Sequence, residues 1–85
     1  MRHRNKVLRE GTWYQLIKST NPKTGRHHYI ISVNIYTAMC NDLNQLRKHF
    51  DPQVSRGGKW GTRWKYRSRL EAEKLLTLAL LKFGG

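Results

Sequence analysis

Acidic residues are scarce in this chain: five Asp and Glu stand against 17 Lys and Arg in 85 residues, a formal charge of +12. The carboxylates are also scattered, with Asp51 ahead of Pro52, Glu71 in a helix-start pattern and Glu73 on a helix exterior. A metal-dependent nuclease needs several carboxylates converging on its ions, so that chemistry is not expected. Cysteine is limited to Cys40, which excludes an internal disulfide and reads as a small buried hydrophobe in a reducing compartment. His3, His27, His28 and His49 lack paired-ligand spacing, and adjacent His27 and His28 on a strand would point to opposite faces, so no metal site is expected. There is no phosphate-loop glycine pattern. A general base at His28 or His49 is the one catalytic route left, a metal-free ribonuclease, and the expectation is a protein that is not an enzyme and takes no cofactor. Long apolar runs are missing as well. Met1 to Leu8 is basic and soon runs into polar sequence, so neither a signal peptide nor a membrane span is expected. The expected compartment is the cytoplasm, or the nucleus of a eukaryotic host.

What the chain does have is cations interleaved with rings. Lys59, Trp60, Arg63, Trp64, Lys65, Tyr66 and Arg67 fall within nine consecutive residues. Phosphates attract cations, while bases and sugars favour flat apolar surface, so this pairing points to nucleic acid. A positive excess of this size repels itself unless a polyanion or counterions neutralise it.

The length suits one domain with a single small core. Residues 1–10 show no periodicity and carry Arg2, Arg4, Lys6 and Arg9, which reads as a basic arm ahead of a domain over 11–85. Thr12 to Ser19 is rich in β-branched and aromatic residues, as a strand requires. Thr20 to Gly25 holds Asn21, Pro22 and Gly25 in a turn-forming order. From His27 to Ile35 apolar and polar residues alternate, giving a second strand and a hairpin. Met39, Leu43, Leu46 and Phe50 lie on one side of a helix that Thr37 would cap and Asp51-Pro52 would end. Gln53 to Lys59 reads as a loop. A third strand follows, with Trp60, Thr62, Trp64 and Tyr66 on one face and Arg63, Lys65 and Arg67 on the other. Ser68 to Glu71 is a capping-box pattern, opening a helix whose Ala72, Leu75, Leu76, Ala79, Leu80 and Phe83 form one side and Gly84-Gly85 the stop. The expected fold class is therefore α+β, a two-layer β-β-α-β-α domain with a three-stranded, largely antiparallel sheet and both helices on one face.

If the apolar strand faces meet the helices, His28, Arg63, Lys65 and Arg67 line an open sheet face able to lie against a duplex or a single strand. Whether Trp13 or Tyr14 joins that face depends on a register the sequence does not fix. Trp60, Trp64 and Tyr66 are read as core rather than as base-stacking rings. Lys23 and Arg26 in the first turn and Arg56 and Lys59 in the loop add phosphate contacts. Arg2 and Arg4 extend them along an arm. Leu70, Leu78 and Leu81 remain on the outer side of the last helix. Burying one Leu is worth about 2 kcal/mol, so these three imply cover by the arm, by a partner or by a second copy in a homodimer.

The leading expectation is a small binding protein that grips DNA or RNA phosphates, with DNA favoured slightly, in the style of a phage or mobile-element accessory factor. The alternative is an inhibitor or adaptor docking an acidic surface of a nucleic-acid-handling enzyme, for example a defence nuclease, with the leucines as its apolar contact. A third is an RNA-packing, ribosome-associated component.

Overall fold

The computed structural model describes residues 4–34, 36, 43–53 and 59–84. Its elements run β1 (Arg4–Glu10), β2 (Tyr14–Thr20), β3 (His27–Val33), α1 (Leu43–Phe50) with a short 3-10 turn at Asp51–Gln53, β4 (Lys59–Trp60), β5 (Arg63–Tyr66) and α2 (Arg69–Phe83). The strands form one sheet in the order β1-β2-β3-β5-β4, every neighbouring pair antiparallel. The α+β class and the antiparallel sheet match expectation. The strand count does not, for two local reasons.

The first is that residues 4–10, expected to be an arm, form an edge strand paired with β2. No alternation advertises it, since Arg4, Asn5, Lys6 and Val7 are all exposed. Between Val7 and Arg9 the pairing shifts by one residue, a β-bulge of the kind that re-aims side chains at sheet edges. Here it sends Leu8 against the core and lets Arg9 reach α2, where its guanidinium donates to Thr77 Oγ1 at 3.4 Å.

The second is that the aromatic-basic stretch breaks after Trp60. Gly61 adopts φ +54, and Gly61-Thr62 forms the two-residue, glycine-first loop favoured by tight hairpins. β4 then pairs back on β5, with Lys59 opposite Trp64 and Trp60 opposite Arg63. Positions 60, 62, 64 and 66 therefore do not line one face as expected. The β2–β3 turn forms where read, with Gly25 at φ +70 and the Gly25 N–H donating to Asn21 O at 2.8 Å.

Neighbours in register define the two faces. Leu16, Ile31 and Trp64 are consecutive partners across β2, β3 and β5, as are Lys18, Tyr29 and Tyr66. Leu16, Ile31, Trp64 and Tyr66 are fully buried with Val33, Trp13 and the helix residues Leu46, Phe50, Ala72, Leu75, Leu76 and Ala79. One sheet face thus meets both helices. Trp13, just before β2, is buried and Tyr14 packs on the same core, so neither joins the open face.

Three polar ring atoms fasten the helices to the sheet. Trp64 Nε1 donates to Asp51 Oδ1 at 2.6 Å, Tyr66 OH donates to Phe50 O at 2.5 Å, and Trp13 Nε1 donates to Gly84 O at 3.0 Å. Phe50 lies 4.8 Å from Trp64, centroid to centroid. His49 Nε2 donates to Leu75 O at 2.8 Å, joining α1 to α2. Because a carbonyl only accepts, this bond fixes the hydrogen on Nε2. At the start of α2, Ser68 Oγ accepts from the Glu71 N–H at 3.4 Å, and at its end the Gly84 N–H donates to Leu80 O at 3.0 Å. The expected start of α1 near Thr37 and Met39, and the Cys40 reading, lie outside the described residues.

Candidate functional site

The face turned away from the helices carries three rows that follow from the register. Glu10, Gln15, Ser32 and Arg63 are successive partners from β1 to β5, as are Val7, Ile17, Ile30 and Lys65. Asn5, Ser19 and His28 form the third row, and Arg67 follows one residue beyond the Tyr29–Tyr66 pair on the His28 side. The face is therefore an apolar row flanked by polar rows and crossed, along β5 and its continuation at Arg67, by a column of cations, with β4 beyond it. Successive members of that column are about 7 Å apart, the two-residue rise of an extended strand.

Arg63 and Arg67 are exposed and Lys65 is half-buried. Lys65 and His28 already hold other interactions within the chain. Gln15 Nε2 donates to Glu10 Oε2 at 3.1 Å, which keeps the one carboxylate of these rows engaged at the edge opposite the cations. Trp64 and Tyr66, the ring-bearing neighbours of the column, point to the other side and are buried. Burial pushes the Tyr66 phenol far above its ordinary pKa, and the neighbouring Asp51 carboxylate adds to the effect. Its hydroxyl thus stays protonated and remains a donor to Phe50 O.

Of the remaining phosphate candidates, Lys23 and Arg26 are exposed on the β2–β3 turn, and Arg4 pairs opposite Thr20 at the start of β1, beside that turn. Together with Arg67 they gather at one end of the sheet. Lys59 lies in β4, opposite Trp64. Arg2 and Arg56 lie outside the described residues.

Sequence reading missed Lys6 and Lys18. They are 12 positions apart, and only the β1–β2 register sets them opposite each other. They share the helix-side face with Leu16 and Tyr29, yet Lys6 is exposed and Lys18 only half-buried, so this end of that face extends past the core.

On α2, Leu70, Leu78 and Leu81 are 76%, 45% and 79% exposed. The expected outer position of these leucines is thus met. Cover by residues 4–10 is not, because they form β1 on the edge of the sheet; residues 1–3 of that segment lie outside the described residues. Among the described residues no helix is long and apolar enough to cross a membrane, and no group of three or more His, Cys, Asp or Glu is placed to hold a metal ion. No protein-family model, no curated protein and no solved structure matches the chain.

Proposed function

We propose that this chain is a small non-enzymatic protein that binds nucleic acid by its phosphates, through the open sheet face and the β2–β3 turn, and that its preferred partner is duplex DNA. The observation that carries the reading is the Arg63, Lys65 and Arg67 column, held on the face opposite the helices, with Arg67 near the cationic turn. A formal charge of +12 supplies long-range attraction to any polyanion, and a strand with regular spacing supplies register for successive phosphates. Duplex is favoured over single strand because Trp64 and Tyr66, the rings of the strand that carries the cations, are buried in the core and so offer no surface for the base stacking that single-strand binders use.

The test is a binding titration with a short duplex at several salt concentrations. Contacts from Arg63, Lys65, Arg67, Lys23 and Arg26 give a log–log salt slope of about −4.5, at roughly 0.9 per phosphate. Affinity is then expected to fall roughly 500-fold between about 50 and 200 mM salt. An affinity independent of salt overturns the reading. Parallel digestion of co-purifying material with DNase or RNase separates the two acids.

The exposed leucines of α2 favour a second reading, an adaptor or inhibitor that docks an acidic protein surface. Apolar area of this kind gains nothing from phosphates and gains from a protein partner. Recovery of a partner that survives nuclease treatment supports this reading, and recovery lost with the nucleic acid counts against it.

A further inference from the structure

We infer that Lys6 and Lys18, with Arg4 beside them, form a second phosphate-binding site on the helix-side face of the sheet, beyond the end of the core. The inference rests on the phosphate-gripping reading above and extends it around the sheet's end to the opposite face.

The register is the first support. Lys6 and Lys18 are direct cross-strand partners, and like charges in that position oppose the strand pairing that holds them. Described acids do not relieve them: Glu10 accepts from Gln15 on the other face, Asp51 accepts from Trp64, and Glu73 pairs with Arg69 at 3.5 Å within α2. Glu71 lies exposed in the first turn of α2. A bound phosphate dianion placed between two ammonium groups converts this repulsion into two charge-assisted contacts.

Preorganisation is the second support. Lys18 is half-buried and sits opposite Tyr29, which packs on the core, so its stem has less freedom than that of a solvated lysine. One rung further, Arg4 is opposite Thr20, and Thr20 Oγ1 lies 2.9 Å from His27 Nδ1. Hydroxyl, imidazole and guanidinium groups thus adjoin the lysine pair. Continuity is the third. Lys23 and Arg26 on the turn lie between this cluster and Arg67 on the open face, so cations run from one face to the other around a single end of the sheet. A phosphodiester chain that bends past that end meets them in sequence, and a free phosphate or pyrophosphate fits the lysine pair alone.

The experiment uses the full chain, a Lys6→Ser/Lys18→Ser variant and a Lys18→Glu variant. The Glu variant supplies a cross-strand ion pair and keeps the fold in hand should the serines weaken it. Each is titrated with duplex across a salt series and melted with and without pyrophosphate at matched ionic strength. The expected result is a duplex salt slope shallower by about 1.8, for two phosphates lost, and a pyrophosphate-dependent rise in Tm that the wild type shows and both variants lose. A lost Tm response with an unchanged duplex slope assigns the site to a free phosphate compound. A reduced slope with no pyrophosphate response in the wild type assigns it to the strand alone. Slope and response both unchanged overturn the inference, while the Arg63 column keeps its reading. Failure of the wild type to bind duplex sinks the nucleic-acid reading instead, and the pyrophosphate arm still decides the lysine site.

Discussion

Replacing Trp64 by Phe separates a core ring from a base-stacking ring. Trp64 is fully buried, stacks on Phe50 and donates to the Asp51 carboxylate. The substitution removes a hydrogen bond to a charged acceptor, worth about 1.5–3 kcal/mol. Trimming indole to phenyl in a packed site adds about 1 kcal/mol for the space left behind. Asp51 keeps another interaction within the chain, so the carboxylate is not stranded, and the total comes to about 3 kcal/mol. A domain of this size is stable by roughly 4–13 kcal/mol, and each kcal/mol moves Tm by roughly 4–8 °C. Circular dichroism melting should therefore show Tm lower by roughly 12–24 °C. Duplex binding, measured in the cold where the variant remains folded, should be unchanged. Base stacking is worth about 1–3 kcal/mol per base. A variant that keeps its Tm but binds about tenfold more weakly would place the ring in the ligand and refute the assignment of the faces.

Changing Arg63, Lys65 and Arg67 together to Ser should flatten the log–log salt slope by about 2.7, at three phosphates, while Tm shifts only slightly; an unchanged slope moves the site to the turn or to residues outside β5. Tyr66→Phe tests the raised phenol pKa. Unfolded tyrosine loses its proton near pH 10 while the folded phenol keeps it, so the unfolded state binds fewer protons above that pH. The stabilisation is complete below about pH 10 and declines by about 1.4 kcal/mol per pH unit above it. Urea unfolding at stepped alkaline pH should show this decline in the wild type and a shallower one in Tyr66→Phe, which also loses about 1 kcal/mol at neutral pH for the bond to Phe50 O. Equal alkaline slopes would mean that Tyr66 ionises in the folded protein. Leu70→Ser, Leu78→Ser and Leu81→Ser combined should lower the Tm of the isolated chain by at most about 6–12 °C, because substitutions at exposed positions usually lie within about 0.5 kcal/mol each, or about 1.5 kcal/mol for the three. A steep loss would show that the stripe is already covered in solution, and sedimentation would then report whether a second copy covers it.

The parts of the fold legible in the sequence are those where one residue pattern has one structural solution. The Ser68-to-Glu71 cap, the apolar period through Ala79 and the Gly84 stop lead to α2, and the alternation from His27 leads to β3. β1 hides because an edge strand gains its stability from pairing with β2 rather than from an apolar face. Arg4, Lys6 and Arg9 moreover have the composition that discourages further strands from adding at an edge. The hairpin at Gly61 hides for another reason. Trp60, Trp64 and Tyr66 keep an even spacing that mimics one uninterrupted strand, but a two-residue turn reverses the direction between 60 and 63 and sets Trp60 against Arg63. The signal was the glycine itself, whose positive φ the hairpin needs. The β5 cations were legible because they alternate with core residues of the same strand. The Lys6–Lys18 pair was not, because no local pattern links residues of two strands whose register is set in part by a bulge.

The three ring donors explain why a chain so rich in positive charge still presents a defined face. Trp13 ties the end of α2 to the start of β2, while Trp64 and Tyr66 tie the end of α1 to β5. Two of these anchors belong to the strand that carries the cations, so the backbone beneath Arg63 and Lys65 is fixed from the helix side at each alternate residue. A fixed backbone lowers the entropy lost when side chains engage a ligand, so the proposed phosphate contacts along β5 would cost less to order than cations on a loop. The same arrangement commits these rings to the core, while the opposite face carries the β5 cations, the polar rows and an apolar row in which Val7 is exposed and Ile17 buried. Recognition built from those elements reads the spacing of a polyanion ahead of its sequence.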